Sequence, residues 1–192
     1  MKIRLSVWGS GTGSNADTIM GYFHNHPTVE VAQIVSNKKD VGILEKAAKW
    51  GVPSLVIERD RFVKGDAYVP ELQNAQIDKI ILAGFLWKVP ETLIEAFPSS
   101  IINIHPALLP KYGGKGMYGM HVHEAVIAAG EQESGITIHL VDEQYDHGKH
   151  LAQFTCNVHS SDTPQELATK IHALEHKHYP EVIAQWVSGQ LK

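Results

Sequence analysis

The chain has 192 residues, 43% of them hydrophobic and 20% charged, with a formal net charge of -4. That length supports one packed core, the acidic balance without any basic run argues against a nucleic-acid face, and no apolar stretch approaches the ~20 residues of a membrane span. Cys156 is the only cysteine, so an intramolecular disulfide is excluded. The opening "MKIRLSVWG" enters a strand pattern directly, without signal-peptide design, and a cytoplasmic location with no membrane partner is expected.

In chain order, short apolar runs rich in β-branched residues alternate with helical patterns. "KIRLSVW" (2–8), "VEVAQIVS" (29–36), "SLVIE" (54–58), "DKIILAG" (78–84) and "SIINIH" (100–105) read as strands. Between them, "SNADTIMGYFHNH", "VGILEKAAKW", "GDAYVPELQNAQ" and "PETLIEAF" read as helices, three of them starting at Ser14 or Asn15, Asp40 and Pro90. The alternation predicts an α/β fold, a mostly parallel sheet with helices on both faces. Further on, "GITIHLVD" (135–142) and "KHLAQFTCNVH" (149–159) alternate around the turn-like "EQYDHG", which predicts an antiparallel extension of that sheet. Leu167, Ile171, Leu174, Val182, Ile183 and Trp186 stand at helical spacing, so a long C-terminal helix interrupted at Pro180 is expected.

The first strand runs into the first helix through "GSGTGSN". A glycine-rich turn that opens a helix aims backbone N–H groups at an anion, most often phosphate. The spacing is not the dinucleotide pattern, because Ala16 follows Gly13 at the third position, and no Lys-Ser/Thr pair marks a nucleotide loop. The expected ligand is a monophosphate; the alternative is a tight connection that uses glycine for geometry alone.

The fifth strand carries polar residues where a buried strand has little use for them. Asn103 and His105 share one face, Ile102 and Ile104 the other, and Pro106 stops the ladder. At the carboxyl end of a parallel strand, an amide that donates to a developing oxyanion beside an imidazole that moves a proton suits acyl transfer. A hydrogen-bonded pair that stabilises a strand-to-loop corner is the competing reading. In "HLVDEQYDHGK", Asp142, Glu143 and Asp146 lie beside His139, placed so that a carboxylate orients His105 through water. Twelve histidines invite a metal, but "HVH" (121–123) and the helical His172, His176 and His178 lack the HExxH pattern and a second cysteine, and no metal is expected.

The segments "GSGTGSN", "VSNK", "ILAGF", "INIHPALLPKY", "GITIHLVDEQYDHG" and "LEHKHYP", in that order, give the chain a resemblance to the phosphoribosylglycinamide formyltransferases, the folate-dependent transformylases of purine synthesis. The resemblance runs nearly end to end. It implies a Rossmann-like fold in a single domain over 1–192, with 1–100 holding the ribonucleotide and 101–192 carrying catalysis and folate binding. It implies formyl transfer from 10-formyltetrahydrofolate to the amine of glycinamide ribonucleotide, with these small molecules as partners and a monomer or homodimer as the working unit. Asn103, His105 and Asp146 match the family's catalytic residues, with a protonated His105 beside the oxyanion. Gly11, Thr12, Gly13, Ser14, Asn15 and Glu175 match its ribonucleotide site. Phe85, Leu86, Trp87, Lys88 and Val89, with Val141, Asp142 and Glu143, match its folate segments. Thr137 matches a hydroxyl residue that helps place His105, and His139 supports the same cluster.

Three departures stand out. "KGMYGM" is inserted before His121, Trp87 and Lys88 replace other side chains in the folate segment, and "DHGKHLAQ" brings His147 next to Asp146. Rival readings are a formyltransferase acting on another amine such as an amino-sugar nucleotide, a formyltetrahydrofolate hydrolase, and a non-catalytic module that binds a phosphorylated ligand. Hydrolases with an added N-terminal domain and tRNA formyltransferases with an added C-terminal barrel are disfavoured, since the pattern begins at strand one and ends after one long helix.

Overall fold

The computed structural model describes residues 2–191, in two compact units, Met1–Asn103 and Ile104–Lys192. In the first unit the elements follow as β1 (Ile3–Trp8), α1 (Ser14–Phe23), β2 (Val29–Ser36), α2 (Gly42–Trp50), β3 (Ser54–Val56), α3 (Arg59–Lys64), α4 (Val69–Asn74), β4 (Lys79–Leu82), α5 (Glu91–Ala96) and β5 (Ile101–His105). The strands pair in parallel in the order β3-β2-β1-β4-β5. The chain therefore moves outward from β1 to β3 and returns to β4 on the other side of β1. That reversal leaves a switch point at the carboxyl ends of β1 and β4, where ligands of open α/β sheets gather.

Between β2 and β4, β1 is covered on both faces: Leu5, Ser6, Val7 and Trp8 are fully buried. A buried serine needs a partner, and Trp8 Nε1 donates to Ser6 Oγ at 2.8 Å. Trp8 also meets Phe62 and Phe85 at ring centroid distances of 5.7 and 5.2 Å in tilted and edge geometries, which suit the ring quadrupoles better than a face-to-face stack.

One helix expected at 65–76 is shorter and displaced. Ala67 and Tyr68 take left-handed backbone angles, φ 51° and 60°, and α4 starts only at Val69. Asp66 accepts from Tyr68 N at 3.0 Å and from Arg61 Nε at 2.9 Å, a side-chain turn that competes with helix. Helix α3 and, in the second unit, the helix Met120–Ala128 have no counterpart in the sequence periodicity.

The second unit takes up the end of β5 and adds α6 (Met120–Ala128), β6 (Glu133–Leu140), β7 (His150–Asn157) and α7 (Pro164–Val187). Its strand order is β5-β6-β7, and β6 and β7 form the expected antiparallel hairpin. Helix α7 opens on a complete capping box between Thr163 and Glu166. It then runs through Pro180 as one 24-residue element, the long C-terminal helix expected from the spacing. Its buried residues, from Leu167 and Ile171 through Tyr179 to Trp186, include the carboxylate Glu175. Among the described residues no helix is long and apolar enough to cross a membrane.

Candidate active site

In the first unit the glycine loop sits at the switch point. Gly13 caps α1 with φ 72°, and a Cβ there would lie 2.6 Å from Ile43 Cα, so neither the backbone angle nor the space admits a side chain. Gly11 and Thr12 are exposed, while Ser14 and Asn15 begin the ten-residue helix half-buried. The N–H groups of the first turn and the positive end of the helix dipole thus face an open loop, an arrangement that binds anions.

The strand-end segment after β4 is tied to this loop. Ser10 N donates to Gly84 O at 3.0 Å, and Leu86 N donates to Ser10 Oγ at 2.9 Å. Phe85 and Val89 belong to the core, whereas Leu86 is 45% exposed, Lys88 is exposed and Trp87 leans on Phe62 and Phe85. Of the five residues expected to meet folate here, only Leu86, Trp87 and Lys88 can offer side chains. Phe85 and Val89 hold the segment in place.

In the second unit the titratable groups converge on His105, which is 3% exposed. His105 Nε2 lies 2.7 Å from Tyr112 O. A carbonyl oxygen only accepts, so that nitrogen carries the hydrogen. The other nitrogen, Nδ1, lies 3.5 Å from Asp146 Oδ2. Asp146 is itself set by the loop. It holds φ 54°, Oδ2 accepts from Gly114 N at 2.9 Å, and Oδ1 lies 3.6 Å from His139 Nε2.

Burial pushes the His105 imidazole below its ordinary range, and the charge of Asp146 and the bond to the Tyr112 carbonyl only partly offset it. That direction favours the neutral imidazole in the ligand-free protein. For Asp146 the balance runs the other way. Burial raises its carboxyl, but the bond to His139, the charge of His105 and the Gly114 N–H together hold it below the usual carboxylate range.

Thr137 reaches the chain just beyond His105. Its Oγ1 donates to Ala107 O at 2.7 Å and accepts from Leu109 N at 3.0 Å. Gln153, absent from the sequence expectations, donates from Nε2 to Leu109 O at 3.1 Å and to Thr137 Oγ1 at 2.9 Å. Across that span the Leu109–Pro110 peptide bond is cis. Nothing in the spacing of one sequence marks Gln153 or the Tyr112 carbonyl, because each acts through a contact that only the folded chain brings together.

The remaining expected residues divide by location. Asn103 is half-buried on β5, two residues before His105 and on the same strand face. In the turn, Asp142 accepts from Gln144 N and pairs with His147 Nδ1, each at 2.8 Å, while Glu143 is exposed and Val141 half-buried. At Gly148 a Cβ would fall 1.8 Å from Leu140 O, so glycine is required where the turn rejoins β7. Glu175 is 6% exposed on α7. Among the described residues no group of three or more histidine, cysteine or acidic side chains is arranged to hold a metal ion.

A family model described as formyl transferase matches residues 3–183. The chain is 42% identical to the chloroplastic phosphoribosylglycinamide formyltransferase of Arabidopsis thaliana over 98% of its own length. It is 33% identical to the phosphoribosylglycinamide formyltransferase of Bacillus subtilis, with 95% of this chain and 93% of that protein covered. It spans at most 67% of the length of the two plant relatives it matches. Among solved structures, the phosphoribosylglycinamide formyltransferase of Anaplasma phagocytophilum superposes with a TM-score of 0.90 at 30% identity, covering 100% of this chain and 90% of that one.

Proposed function

The chain belongs to the formyl transferase family, and from that premise we propose that it transfers the formyl group of 10-formyltetrahydrofolate to the amine of glycinamide ribonucleotide in purine biosynthesis, with Asn103, His105 and Asp146 as its catalytic side chains. The observation that carries the assignment is the buried pair formed by His105 Nδ1 and Asp146 Oδ2 at 3.5 Å. A binding module gains nothing from a proton-accepting nitrogen aimed at a buried carboxylate.

Acyl transfer to an amine needs an oxyanion donor and a group that takes a proton from nitrogen. Asn103 supplies the donor through its amide NH₂, directed at the negative charge that grows on the formyl oxygen. His105 supplies the acceptor: with Nε2–H held by the Tyr112 carbonyl, Nδ1, beside Asp146, is the nitrogen left to take the proton released by the attacking amine. Asp146 stabilises the imidazolium so formed, which then returns the proton to the departing nitrogen.

The substrates divide over the remaining expected residues. Gly11 to Asn15 take the phosphate of the ribonucleotide, and Glu175 takes its polar body. Leu86, Trp87 and Lys88, with Val141, Asp142 and Glu143, hold the folate; the exposed apolar side chain of Leu86 and the acceptor-rich turn suit its flat, hydrogen-bonding ring. When bound, 10-formyltetrahydrofolate supplies the electrophilic carbon. A cytoplasmic compartment is part of the same proposal and rests on the cysteine-poor composition.

The test is formyl transfer followed by folate absorbance, with an acceptor-free reaction and His105→Ala alongside. Acceptor-dependent turnover that is lost in the variant supports the reading. Turnover without acceptor would replace it with hydrolysis.

A further inference from the structure

The His105 imidazole leans on a carbonyl whose own position needs explaining. Tyr112 holds φ 56°, a left-handed angle that a bulky residue adopts only when its surroundings enforce it. The far end of its side chain is anchored. Tyr112 Oη donates to Glu131 Oε1 at 2.8 Å, and Lys111 Nζ donates to the same oxygen at 2.8 Å. These bonds, from Lys111 first and Tyr112 second, hold the Glu131 carboxyl below its usual range.

The segment from Ala107 to Gly114 is thus tied at three places. Thr137 and Gln153 hold Ala107 and Leu109, Glu131 holds Lys111 and Tyr112, and Asp146 holds Gly114. Glu131 is the tie that acts on the residue whose carbonyl meets His105. An exposed lysine–glutamate pair contributes little to stability by itself, and Lys111 is 69% exposed.

We propose that Glu131, in the turn between α6 and β6, is a positioning residue for the reaction: through the Tyr112 hydroxyl it fixes the carbonyl that orients the His105 ring and keeps Nδ1 toward Asp146. The proposal rests on the reading of His105 as the proton acceptor. Without the latch, Tyr112 relaxes toward negative φ, its carbonyl turns away, and the imidazole loses the contact that fixes both its tautomer and its rotation. The other groups that face His105 are Asp146 from the turn, His139 from β6 and, by its charge, His123 from α6. None of them replaces an acceptor at Nε2.

Four variants and two readouts test this. Glu131→Ala and Tyr112→Phe each lower kcat about tenfold while KM for both substrates stays within about twofold. The double variant loses no more than either single one, because both cut one link. Glu131→Gln, which keeps an acceptor for the tyrosine hydroxyl, recovers most of the loss. In the ligand-free protein, NMR titration finds the His105 ring proton-binding midpoint lower in Glu131→Ala and in Tyr112→Phe than in wild type. Wild-type kcat in Glu131→Ala, losses that multiply in the double variant, or an unmoved His105 titration overturns the proposal. An inactive wild-type protein would defeat the functional reading instead, and the titration would still decide the link from Glu131 to His105.

Discussion

His105 Nδ1 and Asp146 Oδ2 stand 3.5 Å apart with side chains only 4% and 12% exposed. Burial favours a neutral His105 beside the Asp146 anion at rest, and the attraction between the two charges stabilises the imidazolium once His105 takes a proton. Replacing Asp146 with asparagine keeps the shape and removes the charge that stabilises the imidazolium. kcat for Asp146→Asn is expected to fall by about 10²–10³ with little change in KM. The sign of the pH effect follows. A neutral His105 is required, so kcat/KM falls as pH drops through its midpoint, which lies below the ordinary 6.5 in wild type and lower still in Asp146→Asn. Steady-state kinetics across pH checks both statements, and an acid limb that moves upward in the variant would be the wrong sign.

Asn103 makes a separable contribution. Its amide acts on the oxyanion and not on the proton, so Asn103→Ala is expected to lose about 10²–10³ in kcat while leaving the acid limb of the pH profile where it was. A variant with wild-type turnover removes Asn103 from the mechanism.

His123 gives the fold an acid-sensitive point. It is 2% exposed, its Nδ1 is buried with no hydrogen-bond partner among the described residues, and burial, then the charges of His172 and His105, push its pKa from 6.5 to about 4. Between those values the unfolded chain binds a proton that the folded chain excludes. Stability therefore falls as pH drops through that window and is regained above it, by on the order of 3 kcal/mol for this group. His123→Phe is expected to flatten that part of the pH dependence. Urea denaturation of both proteins at pH 7 and pH 5 measures the difference, and equal losses in the two would exclude His123 as the source.

Thr137 serves three hydrogen bonds with one hydroxyl. Thr137→Val keeps the volume and leaves Ala107 O, Leu109 N and Gln153 short of a partner, at a cost of about 1–3 kcal/mol. Because those groups fix the chain directly after His105, kcat is expected to fall along with the unfolding midpoint. Stability loss with unchanged kcat would mean that the loop keeps its course without the hydroxyl.

Much of this protein is readable one residue at a time. The period-two run of β5 puts Asn103 and His105 on one face, and the glycine loop leads into a helix, because both signals lie within a few consecutive residues. Signals that depended on competition were misread. The expected helix at 65–76 lost its first turn to the side chain of Asp66. The long C-terminal helix read from the apolar spacing is present, with Pro180 inside it.

The sequence by itself determined the alternation of strands and helices, the strand-end amide and imidazole, and the acidic turn that supplies Asp146, since each follows from local periodicity and residue chemistry. Only the tertiary structure decided which atoms work together. It brought Asp146 to within 3.5 Å of His105, turned the Tyr112 carbonyl onto Nε2, and buried the imidazole deeply enough to favour its neutral form. Those outcomes depend on distances between residues far apart in the chain and on the water excluded around them, and no pattern along a single sequence encodes either.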